Sequence, residues 1–226
     1  MKYNKIKKAS FISRPNRFVA YVDIDGEEIA CHVKNTGRCR ELLTEGAEVY
    51  LEESDNPDRK YKYSLVTVKK GDKLVNMDSQ APNKVVGEWL RSSEFFSNIT
   101  LLKAESTYKK SRFDFYCEYA NKKAFIEVKG VTLENEGVVS FPDAPTERGT
   151  KHLNELVECM NDGYEAYVVF VIQMKDVLYF TPNQDHDPKF AEALRRAAKS
   201  GVNIIALDCA VTEDSVDIRD KVEVRL

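Results

Sequence analysis

The sequence predicts an α+β chain of two domains, a small β-barrel followed by an α/β unit whose mixed sheet carries flanking helices. Three observations predict it. Residues 1 to about 80 hold short β-rich runs joined at glycine turns, with almost no helical periodicity. From Gln80 onward, β-rich runs alternate with amphipathic stretches of helical period, the pattern of a sheet packed by helices. The length, 226 residues with 42% hydrophobic content, is enough for two cores. The boundary falls near Gln80, giving domains 1–80 and 81–226.

In the first domain, "RFVAYVDIDGEEIACHV" is two β-rich runs across an Asp-Gly turn, and "AEVYLEES" and "KYSLVTVKKGDKLVNMD" follow with a Gly-Asp turn. Only "GRCRELL" hints at a helical turn. Several short strands with one small helix suggest an OB-like barrel, a generic SH3-like barrel being the alternative. In the second domain, Asn83 reads as the N-cap of a helix with Val86, Trp89 and Leu90 as core positions. Strands "SRFDFYCEY" and "KAFIEVKGVTL" follow, then a helix over "TERGTKHLNELVECMNDG" with Leu153, Leu156, Val157 and Met160 at core spacing and Gly163 as its stop. Asp143 and Thr146 both read as caps for it, with Pro145 in the turn and Glu147 in the first turn. Strands "EAYVVFVIQM" and "VLYFTPN", helix "DPKFAEALRRAAKSG", strand "VNIIALDCAV" and a charged terminal strand "SVDIRDKVEVRL", readable as a sheet edge, complete the order.

The totals exclude several function classes. With 34 basic and 37 acidic residues the chain is not a polycation, so any anion site is local. Residues 1–80 carry 15 basic and 13 acidic side chains, making that half only slightly the more basic. Five scattered cysteines show no zinc spacing and read as reduced thiols of a cytoplasmic protein. "MKYNKIKKASF" has no apolar stretch after its basic start, and no apolar run reaches membrane-spanning length, so neither secretion nor a membrane partner is expected. No glycine-rich phosphate loop follows a strand, which leaves a nucleotide or sugar sensor with little support.

Glu127 and Lys129 sit two positions apart in the apolar run "AFIEVKGVTL". Such groups are poorly tolerated in an interior unless paired or used. Strand alternation places Arg112, Asp114, Tyr116 and Glu118 on one face of their strand, and Phe125, Glu127, Lys129 and Val131 on one face of the next. A two- or four-residue hairpin loop makes opposed positions sum to an odd number. A sum of 241 sets Asp114 beside Glu127, and 243 sets it beside Lys129. Two adjacent carboxylates raise each other's pKa unless a cation lies between them. Hard oxygen donors without clustered His or Cys favour Mg²⁺ or Mn²⁺ over Zn²⁺. Lys129 would then steady charge in a phosphoryl transition state. On an exposed strand a Glu-x-Lys pair is ordinarily a solvated pair; the order of elements around this one argues for a site.

Asp114 followed by Glu127-Val128-Lys129, in a hairpin with a helix before and after, resembles the PD-(D/E)xK, restriction-endonuclease-like core. The resemblance implies that Asp114 and Glu127 are metal ligands, the Val128 carbonyl a third, Lys129 the catalytic lysine, and Glu88 of the preceding helix a further acid. Phe113 departs from the family's proline before the acid. "NRFVAYVDIDGEEIACHVKNTGRCRELLTEGAEVYL", "NPDRKYKYS", "FIEVKGVTL" and "FPDAPTERGTKHLNEL" together resemble the sugar fermentation stimulation protein A family, essentially end to end. That likeness implies an OB-fold domain joined to a PD-(D/E)xK domain, DNA binding, and a link to regulation of sugar, especially maltose, metabolism.

Further candidates gather around this core. Arg148, Lys151 and His152 cluster near a helix N-terminus where a phosphate can dock, His152 being a candidate catalytic residue and Glu155 a weaker one. In the barrel, Arg14, Arg17, Lys34, Asn35, Arg38 and Arg40, with Arg59 and Lys60 of "NPDRKYKY", are candidate nucleic-acid contacts. Asn35, Thr36 and Gly37 form the turn that presents the first basic loop. Tyr61 and Tyr63 offer stacking surfaces; Phe18 could too, but reads as core. The expectation is a DNA-binding protein with a divalent-metal phosphodiesterase site and backbone-directed, sequence-nonspecific contacts. The alternative is a non-catalytic DNA-binding regulator on a nuclease scaffold. Strand preference, cutting mode and oligomeric state stay open at the level of sequence.

Overall fold

A computed structural model describes every residue except Thr36 and Ser93. The first sheet is built from β1 (Ile6–Asn16), β2 (Val19–Ile24), β3 (Glu27–Val33), β4 (Glu48–Glu53), β5 (Tyr63–Lys70) and β6 (Lys73–Asn76), in the order β3-β2-β1-β4-β5-β6. A short parallel pairing of β3 with β5, His32 against Ser64 and Val33 against Leu65, closes five of these strands into a barrel. That closure is the OB topology and removes the SH3-like alternative. The "GRCRELL" segment forms turns rather than a regular helix.

The second sheet has nine strands among the described residues. In chain order they are β7 (Ile99–Tyr108), β8 (Ser111–Tyr119), β9 (Lys122–Val131), β10 (Leu133–Asn135), β11 (Val138–Phe141), β12 (Glu165–Ile172), β13 (Tyr179–Pro182), β14 (Asn203–Val211) and β15 (Val216–Val224). Their order across the sheet is β10-β11-β13-β15-β14-β12-β9-β8-β7. Parallel pairings β9–β12–β14 form the centre, with antiparallel β8 and β7 beyond β9. The "SVDIRDKVEVRL" strand is interior, between β13 and β14, and not an edge.

Helix α1 (Ala81–Ser92) covers one face, where Val85, Val86 and Leu90 pack with Ile126, Val128 and Val169. Helices α2 (Glu147–Asn161) and α3 (Pro188–Lys199) cover the other, where Leu153, Leu156 and Leu194 pack with Phe125, Val168 and Phe170. That second core runs on into the barrel residues Val22, Leu51 and Leu65. One apolar interior therefore spans both halves.

Several local expectations change. Four strands were illegible: β1 interrupts its apolar positions with Lys7 and Lys8, β7 is mostly exposed at the sheet edge, and β10 and β11, of three and four residues, are too short to show an alternation. Helix α1 starts at Ala81, and Asn83 is inside its first turn, not at its cap. Thr146 alone caps α2 by accepting from the Gly149 amide, while Asp143 stands free of it. Phe18 is not core; it is 52% exposed at the β1–β2 turn beside Arg17.

Candidate functional site

Hairpin β8–β9 turns over the two-residue loop Ala120–Asn121, both with positive φ (44° and 62°). Such loops match the right-handed twist of the strands they join. The register runs from Tyr119 opposite Lys122 to Phe115 opposite Ile126, the pairing in which opposed numbers sum to 241. Beyond Phe115 the strand departs from simple alternation. Phe115 packs on the α1 side with Ile126, yet Phe113 packs on the α2 side, its ring 5.5 Å from Phe125 and 5.8 Å from His152. The irregularity coincides with Glu105, opposite on β7, whose φ is +52°.

Asp114 falls at this break. Its Oδ2 accepts from the Val128 amide at 2.7 Å, and its Oδ1 accepts from Asn83 of α1 at 2.7 Å. The carboxylate thus bonds to the main chain of β9 and does not simply stand beside Glu127 on a shared face, as alternation alone had it. Burial, then the nearby Glu127 charge, push its carboxyl above the ordinary range, against the Val128 amide, Asn83 and Lys129.

Glu127 is buried on the α2 side at 3% exposure. Its Oε1 accepts from Lys129 Nζ at 2.5 Å and meets His152 Nδ1 in a close contact. Its Oε2 is buried with no partner. Burial raises this carboxyl, but His152 and Lys129 outweigh it and hold the group below the usual range. Arg148 Nε donates to His152 Nε2 at 3.5 Å, which leaves Nδ1 to carry the proton toward Glu127. Arg148, His152, Glu127 and Lys129 therefore form one line of polar contacts.

The same histidine lines an open cavity of about 560 Å³ with Lys110, Ser111, Arg112, Glu147, Arg148 and Lys151. Four cations thus surround a cavity that reaches Glu127 through a buried imidazole. Lys151 also pairs with Glu155 at 3.6 Å, and Glu155 keeps a buried Oε2 without a partner. Lys110, just before β8, and Arg112, within it, were not among the expected site cations because each reads as an ordinary exposed hairpin cation.

Other candidates are placed elsewhere. Glu88 pairs with the N-terminal ammonium at 2.8 Å, and its side chain is 57% exposed, so it does not join Asp114 and Glu127. Helix α1 offers Asn83 at that place instead. Arg14 donates to the carbonyls of Gly37, Arg38, Arg17 and Asn35, and so braces the loop from within. Lys34 is held by Glu52 and Asp78, and Asn35 by Met77 and Gly37. Those three are scaffold for the barrel. Arg17, Arg38, Arg40 and Lys60 are exposed, Lys60 over the Tyr61 ring at 5.3 Å, while Arg59 bonds Ser64. Tyr63 is buried, which removes it as a stacking surface. Thr36 lies outside the described residues.

A divalent cation fits these residues in one respect and lacks a donor in another. The unpartnered, buried Glu127 Oε2 and the nearby Asp114 are hard oxygen donors whose charges want a counter-ion. Among the described residues, however, no group of three or more His, Cys, Asp or Glu is gathered to hold a metal. An ion here would rest on two carboxylates, a main-chain carbonyl and water. All five cysteines are free and buried, and no described helix is long and apolar enough to cross a membrane.

Comparison with known proteins places both halves. The SfsA N-terminal OB domain matches residues 12–77, and the sugar fermentation stimulation protein RE domain matches residues 80–215. A sugar fermentation stimulation protein homolog of Clostridium beijerinckii is 60% identical over the whole of both chains. One from Ruminiclostridium cellulolyticum is 58% identical, again over the whole of both. The structure of Pyrococcus furiosus SfsA in complex with Ca²⁺ is 28% identical, superposes with a TM-score of 0.87, and covers 100% of this chain and 98% of its own.

Proposed function

The chain belongs to the sugar fermentation stimulation protein family, and from that premise we propose that it binds DNA and carries a divalent-metal phosphodiesterase site in residues 81–226, with residues 1–80 gripping the backbone. The observation that carries the reading is the buried, unpartnered Oε2 of Glu127, whose charge is felt at Asp114. A structural ion pair has no use for such an atom, because leaving it unsatisfied costs roughly 1–3 kcal/mol. The relative solved with Ca²⁺ supports a hard-cation ligand set.

In this reading Asp114, Glu127 and the Val128 carbonyl hold Mg²⁺ or Mn²⁺, and the bound ion supplies Lewis-acid polarisation of a phosphodiester oxygen. Asn83 and the Val128 amide fix the Asp114 carboxylate. His152, braced by Arg148, fixes Glu127 through Oε1 and is a positioning residue. Lys129 Nζ, only 14% exposed at the side chain, lies where it can meet negative charge developing on a phosphoryl group. Lys110, Arg112, Arg148 and Lys151 attract the flanking phosphates. On the barrel, Arg17, Arg38, Arg40 and Lys60 take the backbone, with exposed Phe18 as a stacking surface. The contacts are largely indifferent to sequence, the setting is the cytoplasm, and the link to sugar metabolism runs through DNA.

Glu88 paired with the amino terminus favours a second reading, a non-catalytic DNA-binding regulator on the same scaffold. Labelled single- and double-stranded DNA, incubated with Mg²⁺, Mn²⁺ or chelator, separates the two. Metal-dependent cleavage abolished by Glu127→Ala and by Lys129→Ala, with binding retained, supports the nuclease; binding without cleavage under any metal supports the regulator.

A further inference from the structure

A second cavity lies between the barrel and the second sheet and has the opposite chemistry to the cation-lined one. It holds about 150 Å³, several times the ~30 Å³ share of one water. Its polar walls are Asn35, Ser79, Thr132, Ser140, Asp143 and Gln173, and no Lys, Arg or His lines it. A phosphate would find no positive charge there. Its apolar wall includes the partly buried ring of Phe141, held rigid against Phe170 and Phe190 at 5.7 and 5.1 Å.

Its position follows a topological rule. In open α/β sheets ligands bind outside the carboxyl ends of parallel strands. Gly130 to Thr132 lie at the carboxyl end of β9, directly after Lys129, and Gln173 is the residue after β12. The crevice therefore begins one residue from the proposed chemistry.

The orientation of Gln173 specifies what would bind. The residue is 2% exposed, and its Nε2 donates to Asn76 O at 3.1 Å, Asn76 Oδ1 at 2.9 Å and Asp78 O at 3.1 Å. Three acceptors lock the amide, so Oε1 is left toward Gly130 with no partner among the described residues. A Cβ at Gly130 would stand 2.6 Å from that oxygen, so the glycine is what admits it. Asp143 also has no hydrogen-bond or ion-pair partner among the described residues, and its carboxylate lies against Gly37 at the rim. Two open acceptors, no cation and a rigid aromatic wall call for a flat, neutral ligand that donates N–H bonds.

We propose that this crevice receives one unstacked nucleobase bearing an exocyclic amine, belonging to the strand whose phosphodiester lies at Glu127 and Lys129. The proposal rests on the nucleic-acid reading above and deepens it. The substrate must present an unpaired nucleotide, and cytosine, adenine and guanine are accepted over thymine, whose O4 would face the Asp143 and Gln173 oxygens.

The test uses the full chain in Ca²⁺ with single-stranded oligonucleotides carrying one central 2-aminopurine flanked by adenines. Anisotropy of an end label reads binding, and 2-aminopurine fluorescence reads unstacking. The expected result is a several-fold fluorescence rise on binding, lost in Ser140→Phe, which fills the crevice, with anisotropy affinity held within about threefold. Oligo(dC) should bind more tightly than oligo(dT), and Asp143→Asn, at an exposed position that leaves the fold intact, should narrow that gap. Binding without a fluorescence rise, a rise that persists in Ser140→Phe, or equal dC and dT affinities would overturn the crevice proposal and leave nucleic-acid binding standing. No anisotropy change with any strand would overturn both.

Discussion

Two buried polar clusters, one between the barrel and the second sheet and one within that sheet, differ in how completely they satisfy their charged atoms. The first joins the halves. Asn76, Asp78 and Gln173 are all buried, Asn76 Nδ2 donates to Tyr3 Oη and Val66 O at 2.9 Å each, and Asp78 meets Lys34, Tyr3 and the Gln80 amide. The second gathers Asp114, Glu127, Lys129 and His152, and it leaves Glu127 Oε2 bare. A network that closes around its charge, as the first does around Asp78, holds a fold together, whereas one that stays open at a charged atom spends stability on something other than the fold. The barrel's arginines divide by exposure: Arg14 donates to four carbonyls of its own chain, its Nε buried without a partner, and Arg17 and Arg38 stand in solvent.

The largest expected effect breaks the second cluster. Glu127→Gln keeps the volume and removes the charge, and it should lower metal-dependent cleavage by at least about 100-fold, the order seen when one electrostatic stabiliser is removed. Thermal stability should fall only modestly, because the charge that His152 and Lys129 favour is lost while the unpartnered oxygen no longer has to be buried as an anion. A melting scan beside a cleavage assay reads both. Loss of stability with unchanged cleavage would make Glu127 a structural residue.

Gln173→Ala is the matching break in the first cluster. It strips the donor from three buried acceptors and should cost about 3 kcal/mol, a fall in Tm of roughly 6–12 °C for a chain of this size. Similar destabilisation by the Glu127 and Gln173 variants would erase the distinction between the clusters.

These two residues also show what the sequence could reveal. Glu127 was legible because a charge inside an apolar strand breaks a period of two, whereas the sequence left the hairpin register open between sums of 241 and 243, and the structure takes 241. The attitude of Asp114 was not, since it depends on the irregularity opposite Glu105, and Glu105 lies in a strand too exposed to carry a pattern. Gln173 was illegible for a different reason. It ends an apolar run like any strand terminus, and its partners are 95 and 97 residues away. Glu88 failed because sequence gives its helix but not the amino terminus folded onto it. The barrel cations had looked equivalent, and only the loop carbonyls around Arg14 tell scaffold from surface.

A smaller effect sharpens the account of how the halves are joined. Lys70 of β5 donates to the Glu134 carboxylate at 2.6 Å and to its carbonyl at 2.5 Å, the Gly137 amide adds a bond at 2.6 Å, and Glu134 is 8% exposed. Burial raises this carboxyl, but Lys70 and the Gly137 amide outweigh it, so its folded pKa is lowered. A lowered carboxyl stabilises the fold above its unfolded pKa and loses that contribution as pH falls through the folded value. Lys70→Met should therefore cost about 1–2 kcal/mol at pH 7, and the gap from the parent should shrink as pH drops below about 4. Denaturant melts at pH 7 and pH 3.5 read the difference. A gap that widened in acid would reverse the sign and remove Glu134 as the linked group.

The smallest effect tests the barrel's two kinds of arginine. Arg17→Ala and Arg38→Ala remove exposed cations and should leave Tm within about 1 °C, while each lowers the slope of log affinity for DNA against log salt by about one contact. Arg14→Ala should do the reverse at the level of stability. It unties Asn35, Gly37 and Arg38, lowers Tm by several degrees, and weakens DNA binding only by disordering the loop that carries Arg38. Since no phosphate contact is lost directly, the surviving complex should keep the salt slope of the parent under conditions where the loop is formed. Equal slopes for Arg17→Ala and the parent would place the strand elsewhere on the molecule, and the cation-lined cavity beside His152 would then have to carry the binding alone.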